Sequence, residues 1–559
     1  MPKPSISQAL DRLSSRKIVK YTVYLTAVII FLVLILLPPI LGIIIKWNAM
    51  QYVLSDAETM IRALDAVKNS LAIALIVSAL DVVTGIPMAW LIARGKSKWL
   101  NVLDTMADIP FIVPTAALGY SLLLFWNSSQ GISSLFGNSI VSKGWLLVML
   151  LHFTFSYPVV VRVIVGALLD CKKEFENAAR TLGAPPFTAS RTVTFPIIKP
   201  SLIAAFVLAF SRSISETGAT LMVAGVFENG PIFIQNMKTD LAAGVISQST
   251  YDGSIVFASF ILIAVSLAVF VIIRALGTRL KLPGKQVWPT LERRLSYSAA
   301  TSSRNSMTLV IFLLIVLIPS LFVALPAFQA IFTDIFPRAL SGSGVWNEYW
   351  QGLILSYGLG AVVTILNVII GLPMAIIVAR RKLGKIPSAI LDLTVNIPLV
   401  VPSIALGVSL AIFWKESFAS IPEMWLLIFA HLAITYPYFV RSMSAAVERI
   451  SADIEEASRT LGAKPLGVFR TIVLPLTKYS ILSGAIMVFT RSVSETGATV
   501  AVASTLKTAP VVIVNWVKPR VLPGPATPLE IGLGCGFLIL FSFMILLALR
   551  FIVKGKGRY

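Results

Sequence analysis

The sequence predicts an all-α polytopic membrane protein of about twelve transmembrane helices, arranged as two homologous six-helix halves of parallel topology. Three observations predict it. With 559 residues, 57% hydrophobic and only 13% charged, and a mean hydropathy of +0.86, the chain is too apolar for a soluble protein of its size. Apolar runs of about 20 residues, enough to cross a bilayer, recur from one end to the other. Finally, Glu174 to Leu202, EFENAARTLGAPPFTASRTVTFPIIKPSL, returns as Asp453 to Ile481, DIEEASRTLGAKPLGVFRTIVLPLTKYSI, at a constant offset of 279, which marks an internal repeat.

In chain order, residues 1–20 are basic, with Lys3, Arg12, Arg16, Lys17 and Lys20. Tyr21 to Ile45 is then a retained first span, longer than a signal-peptide core and followed by no small-x-small cleavage site. Pro38-Pro39 is expected to kink it. Further spans at roughly 68–93, 102–126, 144–168, 197–225 and 254–276 complete the first half. The second half has spans near 307–330, 353–379, 389–414, 423–446, 477–504 and 529–553. Arg94, Lys96 and Lys98, then Lys172, Lys173, Arg180 and Arg191, fall in loops on one side. Asp56, Glu58, Asp65, Glu228, Asp240 and Asp252 fall on the other. The positive-inside rule therefore places the basic loops in the cytoplasm of a cell-membrane protein, together with both termini, the second carrying Arg550, Lys554, Lys556 and Arg558.

The expected domains are a first half at 1–276 with its core at about 66–276, a cytoplasmic linker at 277–306 rich in Gly, Pro, Ser and Arg, and a second half at 307–559 with its core at about 352–553. The repeat extends through both halves. Gly85-Ile86-Pro87-Met88-Ala89 matches Gly371-Leu372-Pro373-Met374-Ala375, and DIPFIVPTAALGYSLLLFW from Asp108 matches NIPLVVPSIALGVSLAIFW from Asn396. An even number of spans per half makes the repeats parallel. The net charge of +21 sits in short clusters between apolar runs, which fits membrane topology and not a nucleic-acid-binding face.

Between the fourth and fifth spans of each half lies a polar island. Phe175, Ala178, Ala179 and Leu182 fall at i, i+3, i+4 and i+7 and share one face of a short helix, which Ile454, Ala457 and Leu461 reproduce. Gly183 and Gly462 stop these helices where a positive φ is useful. Pro196 and Pro475, thirteen residues on, mark the start of the next span.

This pattern resembles the signature of the membrane-spanning permeases of binding-protein-dependent ABC importers: Glu-Ala-Ala, three residues, Gly, and a later hydrophobic-Pro pair. Here it reads Glu456-Ala457-Ser458 to Gly462, then Leu474-Pro475, with Glu455 just before it. The first copy departs from it, with Asn177-Ala178-Ala179 before Gly183 and Glu176 one position earlier. The resemblance implies that each loop is a coupling helix docking on a cytoplasmic ATPase subunit, so two copies of that subunit are expected. It also implies an extracytoplasmic solute-binding protein that delivers cargo. The alternative for a single such helix is one lying on the lipid surface. Two copies in register favour docking.

Within the spans, Ser211-Arg212-Ser213-Ile214-Ser215-Glu216-Thr217-Gly218-Ala219-Thr220 repeats as Thr490-Arg491-Ser492-Val493-Ser494-Glu495-Thr496-Gly497-Ala498-Thr499. Charges at this depth are costly, so they face protein or water. Arg212 and Glu216, like Arg491 and Glu495, stand at i and i+4. Each pair is either an intrahelical lock or, as in the fifth core helix of the resembled family, part of a translocation path or gate with Ser215, Thr217, Ser494 and Thr496. Pro110 and Pro114, and Pro398 and Pro402, break the third and ninth spans, as a static kink or as a cavity lining. His152 and His431 are expected to be hydrogen-bonded structural residues. Arg162 and Arg441 are expected to snorkel to the interface.

No residues stand at metal-ligand spacing. Cys171 and Cys535 suggest no disulfide, and the sequence asks for no cofactor. The only Gly-Lys-Ser, at Gly95-Lys96-Ser97, has Trp90 where a phosphate-binding loop needs Gly. The chain is therefore expected to be a permease and not an enzyme, with ATP hydrolysis in a partner. Its fused double length resembles the ferric-iron transport permeases, implying ferric iron as substrate. Thiamine and the sulfate/molybdate oxyanions are the alternatives, the last because Ser-Glu-Thr-Gly-Ala-Thr loosely resembles a Glu-Phe-Gly-Ala stretch of that group. From another class, twelve spans in two parallel halves also suit a secondary transporter driven by an ion gradient, which has no use for the paired loop helices. A channel lacks any filter-like sequence.

Overall fold

Apolar length sets most of the architecture. The computed structural model describes residues 11, 13–95, 97, 99–128, 131–137, 139–279, 288–418, 420–518 and 525–554. Lys3, Arg12, Lys96, Lys98, linker residues 280–287, Lys556 and Arg558 lie outside the described residues. Every described element is helical. Among the described residues ten helices are long and apolar enough to cross a membrane, and two sharply bent pairs bring the number to twelve.

The bent pairs are the third and ninth spans. Each was expected to be broken at its paired prolines, and each turns there by 103° or 106°. Val113-Pro114 and Val401-Pro402 are extended at the turn, because a residue before proline avoids the α region. The helices beyond the turns, Thr115–Asn127 and Ser403–Ser417, are buried along most of their length.

The first span of each half packs on the other half. Phe31 stacks on Tyr436 at 5.6 Å, Ser409 Oγ donates to the Pro39 carbonyl at 2.5 Å, and Gly42 lies so close to the Ser409 backbone that no Cβ would fit. The seventh span reciprocates. Phe312 stacks on Tyr157 at 6.3 Å, and Ser121 Oγ donates to Pro319 O at 2.6 Å. A π-helical turn, Leu32–Leu36 or Phe312–Leu317, precedes the proline in each.

The fifth and eleventh spans depart from expectation at both ends. Their helices begin at Pro186 and Pro465, so Pro196 and Pro475 lie inside a helix already under way. A π turn, Ser190–Thr194 or Phe469–Val473, precedes each and accommodates a residue that lacks an N–H. These helices end at Ser215 and Val493, and after a break come Gly218–Val223 and Gly497–Val502.

Candidate functional site

The loop helices are Lys173–Thr181 and Ala452–Thr460. Their apolar faces point outward: Leu182 is 90% and Leu461 89% exposed, with Phe175 and Ile454 about half exposed. Asn177, Ala178, Glu456 and Ala457 are exposed, and Glu176 and Ala179 partly so. Gly183 and Gly462 have φ of +91° and +92°, and a Cβ at either would meet nothing. Backbone angle, not crowding, requires glycine there. On the inner side Glu455 is buried and bound by Arg380 at 2.7 Å. Its counterpart Glu176 instead accepts from Thr194 at 3.4 Å. Arg94 and Arg380 each donate to the backbone ahead of the loop helix, at Cys171 O (2.9 Å) and Ile450 O (2.8 Å).

Deeper in the membrane the broken helices meet. Glu216 and Glu495, both buried, turn back to accept the N–H of Ala219 and Ala498, each at 2.9 Å, satisfying donors that the helix starts would otherwise orphan. Thr217 packs on Gly497 and Thr496 on Gly218. A Cβ on Gly218 would lie 2.5 Å from Thr496 Oγ1, and one on Gly497 2.6 Å from Thr217 Oγ1. Only glycine permits this reciprocal crossing. The bent spans close it from the side: Ser403 Oγ donates to Ser215 O at 3.1 Å, and Thr115 Oγ1 to Ser494 O at 3.2 Å. His152 bridges the break, bonding Ser213 at 2.8 Å before it and Thr220 at 2.9 Å after it, and His431 does the same with Ser492 and Thr499 at 2.9 Å. Both histidines are the structural residues expected.

The i, i+4 pairs differ between the halves. Arg491 Nη1 meets Glu495 at 2.5 Å. Among the described residues Arg212 meets no carboxylate. Its guanidinium lies 3.8 Å from the Phe155 ring centroid and 5.1 Å from that of Phe111, and its Nε has no hydrogen-bond partner. At the positions of these rings the second half has Ile434 and Leu399, which offer no π face to Arg491.

Both arginines line a cavity of about 450 Å³ between the halves, with Thr115, Ser211, Tyr438, Thr490 and Ser494. It lies on the loop-helix side of the break, since Leu208, Ser211 and Arg212 precede that break. Glu216, Glu495, Ser215, Thr217 and Thr496 stand at the crossing and not in the lining.

A set of residues that sequence reading missed braces this cavity. Arg162, its side chain 36% exposed, binds Asp104 at 2.6 Å and Asp108 at 2.5 Å, and Arg441, 41% exposed, binds Asp392 at 2.6 Å and Asn396 at 2.7 Å. The signal was present: an acid, then Asp or Asn four residues later, directly before each Ile-Pro.

Residues 82–282 and 371–553 match the family described as binding-protein-dependent transport system inner membrane component. The sulfate transport system permease protein CysT of Salmonella typhimurium is 32% identical over 221 residues, 38% of this chain and 78% of that protein. The protein of that name in Escherichia coli is 31% identical over the same shares. A probable sulfate transport system permease protein of Helicosporidium is 30% identical over 256 residues, 44% of this chain and 90% of its own length. The expected likeness to ferric-iron permeases is thereby corrected. Fused length reports how two copies are joined and carries no information on cargo. The gradient-driven carrier is set aside as well, since the matched segments lie in both halves. The chain belongs to the family of binding-protein-dependent transport system inner membrane components, and is the membrane permease part of an ABC-type importer and not itself an enzyme.

Proposed function

We propose that the chain supplies both transmembrane halves of an importer for sulfate or a similar tetrahedral oxyanion, with the path running through the cavity between the halves and gated by the Thr217–Gly497 and Thr496–Gly218 crossing. The loop helices face the cytoplasm and take two copies of an ATPase subunit on Leu182 and Leu461. A solute-binding protein delivers cargo to the opposite face. The observation that carries the substrate reading is the Arg212 guanidinium in the cavity lining, which among the described residues meets no carboxylate. A unit charge about 4 Å from it gains or loses about 4 kcal/mol at an effective dielectric of about 20. That sign favours an anion and opposes a ferric cation. The sulfate permeases among the relatives support the same reading.

The test is uptake into proteoliposomes holding the chain, its ATPase and its binding protein. ATP-dependent accumulation of labelled sulfate is expected, falling about tenfold in Arg212→Gln while the unfolding temperature stays unchanged. Absence of both sulfate uptake and sulfate-stimulated ATP hydrolysis in the complete system would refute the reading.

A further inference from the structure

A second cavity, of about 320 Å³, lies behind the second loop helix. Its rim carries Lys20, Lys382 and Arg459, and its floor includes Val23, Pro373 and Phe469. These residues come from the ends of spans: Lys17–Ile45 and Pro465–Val493 begin here, and Val345–Ala379 ends here. The cavity therefore sits at the depth where headgroups give way to hydrocarbon, charged above and apolar below. Glu455 is the one carboxylate in the lining, and it is already engaged by Arg380 at 2.7 Å and Arg459 at 3.5 Å. Among the described residues Lys20 and Lys382 form no ion pair at contact distance, Glu455 acting on Lys382 only from farther off; Lys20 lies 5.9 Å from the Tyr24 ring. Burial, and after it the Arg459 guanidinium, hold the Lys382 ammonium below the usual lysine range, as befits a cation short of counter-charge.

We propose that this cavity binds an anionic phospholipid, its phosphate between Lys20, Lys382 and Arg459 and its acyl chain over Val23, Pro373 and Phe469. Basic pockets at the cytoplasmic ends of spans suit such headgroups, and the apolar floor excludes a purely ionic ligand. The site leaves the docking face free. Glu455 and Arg459 occupy one side of the loop helix, and Ile454 and Leu461 another. The lipid thus props the helix from behind. The proposal rests on the membrane placement of the spans and is independent of the substrate.

Native mass spectrometry of the full chain in detergent, titrated with phosphatidylglycerol or phosphatidylcholine of matched acyl chains, tests it. The wild type is expected to retain phosphatidylglycerol about 100-fold better. Each basic side chain contributes about fivefold, so Lys20→Gln with Lys382→Gln cuts that retention about 25-fold and leaves phosphatidylcholine unaffected. The corresponding double arginine variant keeps it, and the wild-type comparison and this variant decide the matter if the glutamine variant does not fold. Equal retention of the two lipids by the wild type, or undiminished retention by the glutamine variant, overturns the proposal. Displacement of phosphatidylglycerol by millimolar inorganic phosphate also overturns it, in favour of a free-phosphate site.

Discussion

Replacing Glu495 by Gln is expected to destabilise the chain far more than replacing Glu216, although the two occupy equivalent positions in the repeat. Arg491 and Glu495 meet at 2.5 Å with side chains 16% and 2% exposed. Removing the carboxylate leaves the buried Arg491 without its ion-pair partner, with only the Tyr438 side chain bonded to it, at a cost of up to about 3–5 kcal/mol. Glu216 forms no ion pair at contact distance among the described residues, and Arg491 and Arg212 act on it only from farther off. Its carboxylate accepts the Ala219 N–H at 2.9 Å, a bond that a glutamine oxygen can also make. The loss there is the difference between a charged and a neutral acceptor, about 1 kcal/mol. Thermal unfolding of the detergent-purified variants reads the gap. Adding Arg491→Gln to Glu495→Gln removes the orphaned guanidinium and recovers most of the loss. Adding Arg212→Gln to Glu216→Gln recovers nothing. Equal destabilisation by the two single changes, or rescue of Glu216→Gln by Arg212→Gln, would refute the asymmetry.

Three more expectations follow from the geometry. Gly462→Ala strains only the backbone, by about 1 kcal/mol, and keeps the ATPase bound, whereas Gly462→Arg and Gly183→Arg place a bulky cation at the docking face; copurification of the ATPase with each variant separates the two effects. Leu461→Asp, exposed in the free chain, changes stability by less than about 0.5 kcal/mol but reduces ATPase copurification, and unchanged copurification would remove Leu461 from the docking surface. Gly218→Val drives a side chain into Thr496, costing about 1–3 kcal/mol of overpacking, and a normal unfolding temperature would show that the crossing is looser than it stands here.

Much of the frame was legible because it depends on periodicity. Apolar length fixed the spans, and the two glycines that end the loop helices announced their positive φ through spacing alone. The bends did not read so directly. Val113-Pro114 and Val401-Pro402 could be seen as breaks, but the direction a broken helix takes depends on what it packs against. The fifth-span break was hidden because the run is apolar again both before Ser211 and after Thr220. The partners of Arg162 were not legible, because a long cation near a span end can reach water or a carboxylate with equal ease. The choice is made by Asp104 and Asp108, which arrive from another helix.

The Arg212 and Arg491 environments show why a repeat does not impose symmetry on a site. The spacing Arg-x-x-x-Glu permits an ion pair in both halves and decides it in neither. In the first half Phe155 and Phe111 offer π faces that hold the guanidinium, while the carboxylate finds sufficient donors at the next helix start. In the second half Ile434 and Leu399 offer none, and the ion pair forms. Beside the Arg162–Asp108 pair that also lines it, the cavity therefore carries one guanidinium paired with a carboxylate and, among the described residues, one that is not. If an oxyanion passes here, as proposed, this matters, because conduction needs attraction strong enough to enter and weak enough to leave. Two free cations would hold a divalent oxyanion about twice as strongly as one. Two ion pairs would offer it no net attraction. On the proposed reading, the aromatic residues beside Arg212 thus bear on the charge of the path.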